Sequence, residues 1–220
     1  MYRSCLFLAF KLALVGCAPT MYVAHPLPTP PVSEIVVSGE VEAIGRASAE
    51  MSVRPTETVS FHGRLFLADS FEPQEPDRSR GGEAGITLQT PLAAPPQNSR
   101  TRRPYAEVGA TIGRDAMLSQ GVRGTTDRYS GHVGLVWKAS DRHLGVLTRV
   151  TRVSTFGVGE SRGEDKSVFV EPFLRGGAQL GPYEFSTQLG LSLDIGDDQL
   201  YRYTYVPLIL SARLSIPLAR

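Results

Sequence analysis

Between residues 104 and 218 the chain repeats one pattern. Stretches of roughly ten or more residues alternate apolar with polar or small side chains, and the connections between them alternate short with long. In the clearest stretch Tyr183, Phe185, Leu189, Leu191, Leu193 and Ile195 share one face, and Glu184, Ser186, Gln188, Gly190, Ser192 and Asp194 share the other. A period of two over such lengths belongs to an antiparallel β-barrel that crosses a membrane. A hydropathy average hides half of every such strand. The lack of any run of eighteen or more uncharged apolar residues after the N-terminus therefore excludes spanning helices but not spanning strands.

With 220 residues, 22 Gly and 16 Pro, the chain has room for one barrel and a leader. A formal net charge of +1 gives no basic face for nucleic acid. The basic cluster Arg100, Arg102 and Arg103 reads as a solvated loop rather than a phosphate site.

Residues 1–16 have the form of a secretory signal, with Arg3 at the start, an apolar centre interrupted by Lys11, and small residues before Cys17. Leu14-Val15-Gly16-Cys17 resembles the bacterial lipobox, which implies that Cys17 becomes the acylated first residue of the mature chain. Cys5 leaves with the leader, so no disulfide is expected. Residues 17–37 carry Pro19, Pro26, Pro28, Pro30 and Pro31 and read as a stiff, extended tether. No acidic run follows Cys17, and the anchor is expected on the periplasmic side of a Gram-negative outer membrane. The barrel domain is expected over 38–220.

Ten strands are expected: 38–45, 47–54, 57–69, 82–90, 104–114, 129–138, 143–155, 167–180, 183–195 and 205–218, with eight as the lower count. Connections 70–81, 115–128, 156–166 and 196–204 are long and polar and are expected to face outward. Those at 55–56, 139–142 and 181–182 are tight and periplasmic. The long 91–103 connection breaks that rule. The opening pair 38–54 also reads as one long strand, strand 143–155 has blurred alternation around Arg149 and Arg152, and Pro172 predicts a bulge or strand end. Trp137 and Tyr183 on one side, and Tyr129, Phe156, Tyr203 and Tyr205 on the other, stand where headgroup girdles belong.

The presumed lipid face includes Phe61, Leu65, Val108, Ile112, Val133, Leu210 and Leu214. The lumen then receives Glu40, Glu42, Arg46, Glu50, His62, Arg64, Glu83, Glu107, His132, Glu171, Arg175, Gln179, Gln188, Asp194 and Arg213. Within it Glu107, Glu171, Arg175 and Arg213 are expected in a mutually neutralising polar network, with Glu171 and Arg175, four apart, leaning into the same space. Ser130, His132 and Glu107 superficially resemble a hydrolase triad, but nothing in the sequence brings nucleophile, base and orienter within reach. Neither ligand spacing for a metal nor a cofactor motif is found. The competing architecture is a soluble periplasmic lipoprotein whose barrel holds a small apolar ligand, with Leu189 inside and Glu184 outside.

Several short pieces carry a family resemblance: Gly16-Cys17 followed by Tyr22-Val23, Gly39-Glu40-Val41, Glu83-Ala84-Gly85 before Tyr105-Ala106-Glu107, Val170-Glu171-Pro172-Phe173-Leu174-Arg175 followed by Gln188-Leu189-Gly190-Leu191-Ser192, and Pro207-Leu208-Ile209-Leu210. In these the chain resembles uncharacterised Bacteroidota-type outer-membrane lipoproteins with a β-barrel domain. The resemblance implies an acylated outer-membrane protein without an assigned activity, and a habitual Pro172. The ending Leu218-Ala219-Arg220 departs from the terminal aromatic that barrel assembly commonly reads. The expectation is a non-catalytic, lipid-anchored outer-membrane barrel with a structural or surface-interaction role carried by 115–128 and 156–166. Its partners would be outer-membrane lipid and an envelope or extracellular protein.

Overall fold

A computed structural model describes residues 22–23, 35–42, 46–69, 78–94, 102–119, 122–158, 164–195, 205–206 and 208–219. Ten antiparallel strands close on themselves: β1 Ile35–Glu42, β2 Arg46–Val53, β3 Val59–Asp69, β4 Arg78–Pro91, β5 Arg103–Ser119, β6 Val122–Lys138, β7 Arg142–Val158, β8 Glu164–Leu180, β9 Tyr183–Leu191 and β10 Leu208–Ala219. Each pairs with the next, and β10 pairs with β1 to seal the ring. Leu193–Asp194 continues β9 along β8. Away from the barrel, Tyr22–Val23 pairs in parallel with Tyr205–Val206. That pairing lies at the end where β10 begins, and β1 begins at the other.

The expected strand count therefore stands, with the opening pair resolved as a hairpin and the barrel starting at Ile35 rather than residue 38. Stepping through direct partners once around the ring returns to β1 about a dozen residues away, a stagger that tilts the strands by roughly 40°.

Two expected loops are corrected. Residues 115–119, 122–128, 156–158 and 164–166 are strand, because β5, β6, β7 and β8 each run for 17 residues. Beyond the apolar band the outward face turns polar as well, so alternation vanishes there and the sequence imitates a loop. These four strands project past their neighbours at what we call the loop end. At the opposite, turn end, the connections are tied down: Ala139 N bonds Arg142 O at 2.8 Å, and Gly181 holds φ 65°, which favours glycine. In the longer turn-end connection Leu92 N donates to Pro104 O at 2.9 Å, and Arg103 Nε to Ala93 O at 2.7 Å.

Pro172 makes neither a bulge nor a strand end. Its register with Thr148 continues unbroken, and the β8–β9 ladder instead pauses between the Phe173–Gly190 and Val170–Leu193 pairs with its register kept. A residue without an N–H costs one rung, not the strand.

A narrow barrel must also find room for its inward side chains. It does so by setting a glycine directly opposite a bulky residue: Gly81 faces Phe66, Gly85 faces His62, Gly109 faces His132 and Gly190 faces Phe173. A Cβ built on Gly109 would stand 2.3 Å from the His132 ring and 2.7 Å from Ile86 O. Apart from Val36 and Phe66, the buried apolar residues, Val136, Leu147, Val153, Phe169, Phe173 and Ile209, form one small cluster. It explains the blurred alternation of β7, where Leu147 and Val153 share the inward face with Arg149 while Arg152 points out.

Candidate functional site

The disposition of faces decides between the two architectures. Val108, Leu189 and Leu210 are 50, 47 and 40% exposed, whereas Glu184 and Arg213 are 5 and 2% exposed. The interior is the charged side, so a soluble barrel holding an apolar ligand is overturned.

Inside, the charges stack in three knots between the two mouths. In the middle one Glu50 accepts from Arg64 at 3.1 Å (Nε) and 2.7 Å (Nη2), from Arg213 Nη2 at 2.8 Å and from Ser52 Oγ at 2.7 Å. Arg64 also approaches Glu40 at 3.3 Å and Glu83 at 3.4 Å. Nearer the loop end Arg128 meets Asp115 at 2.8 Å, Arg46 meets Glu42 at 3.8 Å, and both guanidiniums lie over the Phe66 ring at 5.2 and 5.1 Å. Towards the turn end Glu107 Oε2 accepts from Gln89 at 2.6 Å and Arg175 at 2.7 Å, and Glu107 Oε1 lies 3.4 Å from His132 Nε2. Glu171 forms a further centre, accepting from Arg149 at 2.6 Å, Thr151 at 2.7 Å and Ser192 at 3.0 Å.

Of the residues expected to form the network, Glu107 and Arg175 meet each other, Glu171 takes Arg149, and Arg213 takes Glu50. Glu171 and Arg175 sit on one face of β8, but each is bonded across strands rather than to the other. Gln179 is exposed at the turn-end mouth, bonded to Gly181 O at 3.3 Å. Cys17 lies outside the described residues. Asp115 and Arg128 were missed because they fall in a stretch read as loop, and Arg149 because its strand mixes charge with Leu147 and Val153.

Breaking a pair such as these costs about 3 to 5 kcal/mol, since the survivor is left charged and dry. The knots thus fix one register of ten strands more firmly than nonspecific apolar packing would. They also fill the lumen. A cavity of about 10 Å³ lined by Glu83, Arg128, Ser130 and Arg149 has room for one water, and one of about 60 Å³ opens at the turn-end mouth beside Lys138, His143 and Glu184.

Ser130 and His132 both lie on β6, and among the described residues no hydrogen bond joins them. Serine, histidine and Glu107 do not assemble as nucleophile, base and orienter. Among the described residues no three His, Cys, Asp or Glu side chains converge as a metal site.

No protein-family model matches the chain, and no curated protein matches it. Among solved structures it is similar to one described as "KdgM porin", with a TM-score of 0.36 and 7% identity over 84% of this chain and 99% of that one. A likeness so distant leaves the functional reading to the barrel's own residues.

Proposed function

We propose that the chain is a lipid-anchored barrel of a Gram-negative outer membrane, non-catalytic and closed to solute flow, with a structural or surface-presenting role. The observation that carries this is the reversal of faces: aliphatic side chains outside, ion pairs inside. On β10 the outward Leu208, Leu210, Leu214, Ile216 and Leu218 are all exposed. They span about 33 Å of strand, which a tilt of roughly 40° shortens to about 25 Å, the height of the apolar band in outer-membrane barrels.

Acylation of Cys17 after removal of residues 1–16, and a tether up to residue 34, complete the reading. The Tyr22–Val23 pairing bears on the leaflet. Tyr22 follows Cys17 by five residues, at most about 18 Å of chain, and it lies at the loop end. We therefore favour a loop-end anchor over the periplasmic one expected from the sequence. The surface role passes from loops 115–128 and 156–166 to the projecting ends of β5, β6, β7 and β8.

The test takes a Cys17→Ala chain and adds Gly121→Cys, Ser161→Cys or Gln199→Cys singly. Heat-modifiable gel mobility, extraction only by detergent, and labelling of these thiols in intact cells are expected. Release of Cys17→Ala into aqueous buffer would overturn the membrane reading, and silence of all three thiols would overturn the sidedness.

A further inference from the structure

Charges are rare on the outer face of the barrel, and three cations gather there. Arg80 on β4, Arg114 on β5 and Arg152 on β7 all point outward and are exposed. Among the described residues, the outward positions of β1, β2, β3, β9 and β10 carry no cation, and Lys166 on β8 is exposed about 8 Å nearer the loop end than Arg152. Their registers set the three at one level. Passing one strand towards β7 raises a residue by about 3 Å, and stepping back two residues lowers it by about 5 Å. Arg114 lies one strand on and two residues back from Arg80, and Arg152 two strands on and two back from Arg114.

That level is roughly 23 Å above Trp137, on the turn-end side of the same sheet, and just beyond Tyr129, which pairs directly with Ile112 and Arg152. An aromatic at each boundary of an apolar span marks the headgroup depth. Arg114 is held in place by Asp127, which accepts from its Nε at 2.5 Å and Nη2 at 2.7 Å, yet its side chain stays 72% exposed. Two of its N–H donors are engaged in this way, which leaves three more on an exposed guanidinium.

Beneath the arginines lies a groove of about 360 Å³, lined by Gly82, Ala84, Ile112, Arg114, Asp127 and Tyr129. Next to it on the same outward face Gly63 pairs with Ala84, and a Cβ there would meet nothing within 4 Å, so the wall stays open towards mid-barrel. Small residues below and guanidiniums above fit one acyl chain and its phosphorylated head.

We propose that Arg80, Arg114 and Arg152 bind the head of a lipid carrying two phosphates, with an acyl chain in the Gly82–Ala84–Gly63 groove. Arg80 and Arg152 stand three strands apart and four residues out of direct register, roughly 15 Å or more across the curved wall, so one phosphate does not serve all three arginines. This rests on the membrane reading above.

Native mass spectrometry of the detergent-refolded barrel tests it, with diphosphorylated lipid A, its monophosphorylated form, phosphatidylcholine and inorganic phosphate as probes. Wild type is expected to retain one diphosphorylated lipid, the monophosphorylated form several-fold more weakly and phosphatidylcholine not at all, with millimolar phosphate failing to compete. Arg80→Gln/Arg114→Gln/Arg152→Gln is expected to weaken retention at least tenfold. Equal retention by that variant, or of phosphatidylcholine, overturns the site, and displacement by inorganic phosphate overturns the lipid as its occupant. Should the triple variant not refold, Arg152→Gln alone carries the test, with a several-fold loss expected and an unchanged affinity contradicting it. Insertion into phosphatidylcholine vesicles separates the two levels: a barrel that inserts but shows no phosphate preference refutes this site alone, and one that does not insert refutes the membrane reading.

Discussion

Replacing Glu50 with alanine should be among the most damaging single changes in the lumen. Its carboxylate accepts two N–H bonds from Arg64, one from Arg213 and a hydroxyl from Ser52, and it is 3% exposed. Arg64 keeps Glu40 and Glu83 at 3.3 and 3.4 Å, so its loss is partial. Arg213 keeps only hydroxyl contacts among those described, Ser38 Oγ at 2.8 Å and Ser215 Oγ at 3.3 Å, and is stranded as a buried cation. The expected cost of Glu50→Ala is about 3 kcal/mol, the lower end of the range for breaking a buried pair. Adding Arg213→Met removes the stranded charge and should return more than about 1 kcal/mol, a coupling typical of residues in one network. Urea unfolding of the vesicle-inserted barrel, followed by Trp137 fluorescence and by gel mobility, measures both. If Glu50→Ala costs under about 1 kcal/mol, as an exposed pair would, the lumen is wet and the knots do not hold the barrel.

Two further changes probe the walls by the same unfolding assay. Gly109→Ala forces a Cβ against the His132 ring and Ile86 O and should cost about 1 to 3 kcal/mol, whereas Gly39→Ala, whose Cβ meets nothing within 4 Å, should leave the urea midpoint unchanged or slightly raised; equal effects would refute the opposed large and small packing. Val133→Arg, midway between Trp137 and Tyr129 on the outward face, should cost about 2 to 4 kcal/mol in bilayers, and a neutral result would mean that this face is wet.

The strand count and the sense of each face were readable because period-two alternation survives wherever one side meets lipid and the other meets the lumen. Tyr183 to Leu191 shows it at its purest, with every outward residue exposed and every inward one buried. Alternation fails where that contrast fails. Above the apolar band Asp115, Arg128 and their neighbours have polar residues on both sides, so the ends of β5 and β6 passed for a loop. In β7, Leu147 and Val153 turn inward to pack on Phe169 and Phe173 and hide Arg149 among them. Pairing within the lumen was less legible still. Glu171 and Arg175 looked like partners because they are close in sequence, but partners across a sheet are set by register, and Glu107 and Arg175 meet from 68 residues apart. A sequence of alternating faces does not encode which acid will face which arginine until the ring closes.

The central claim is that the apolar face touches acyl chains, and a fluorophore placed on it reports this directly. Trp137 is the single tryptophan of the chain, so Trp137→Phe/Val133→Trp moves the probe to the middle of the outward face. In vesicles of brominated lipids its emission should be quenched most by bromines deep in the acyl chain and little by aqueous iodide. Strong iodide quenching with no response to bromine at any depth would contradict the account.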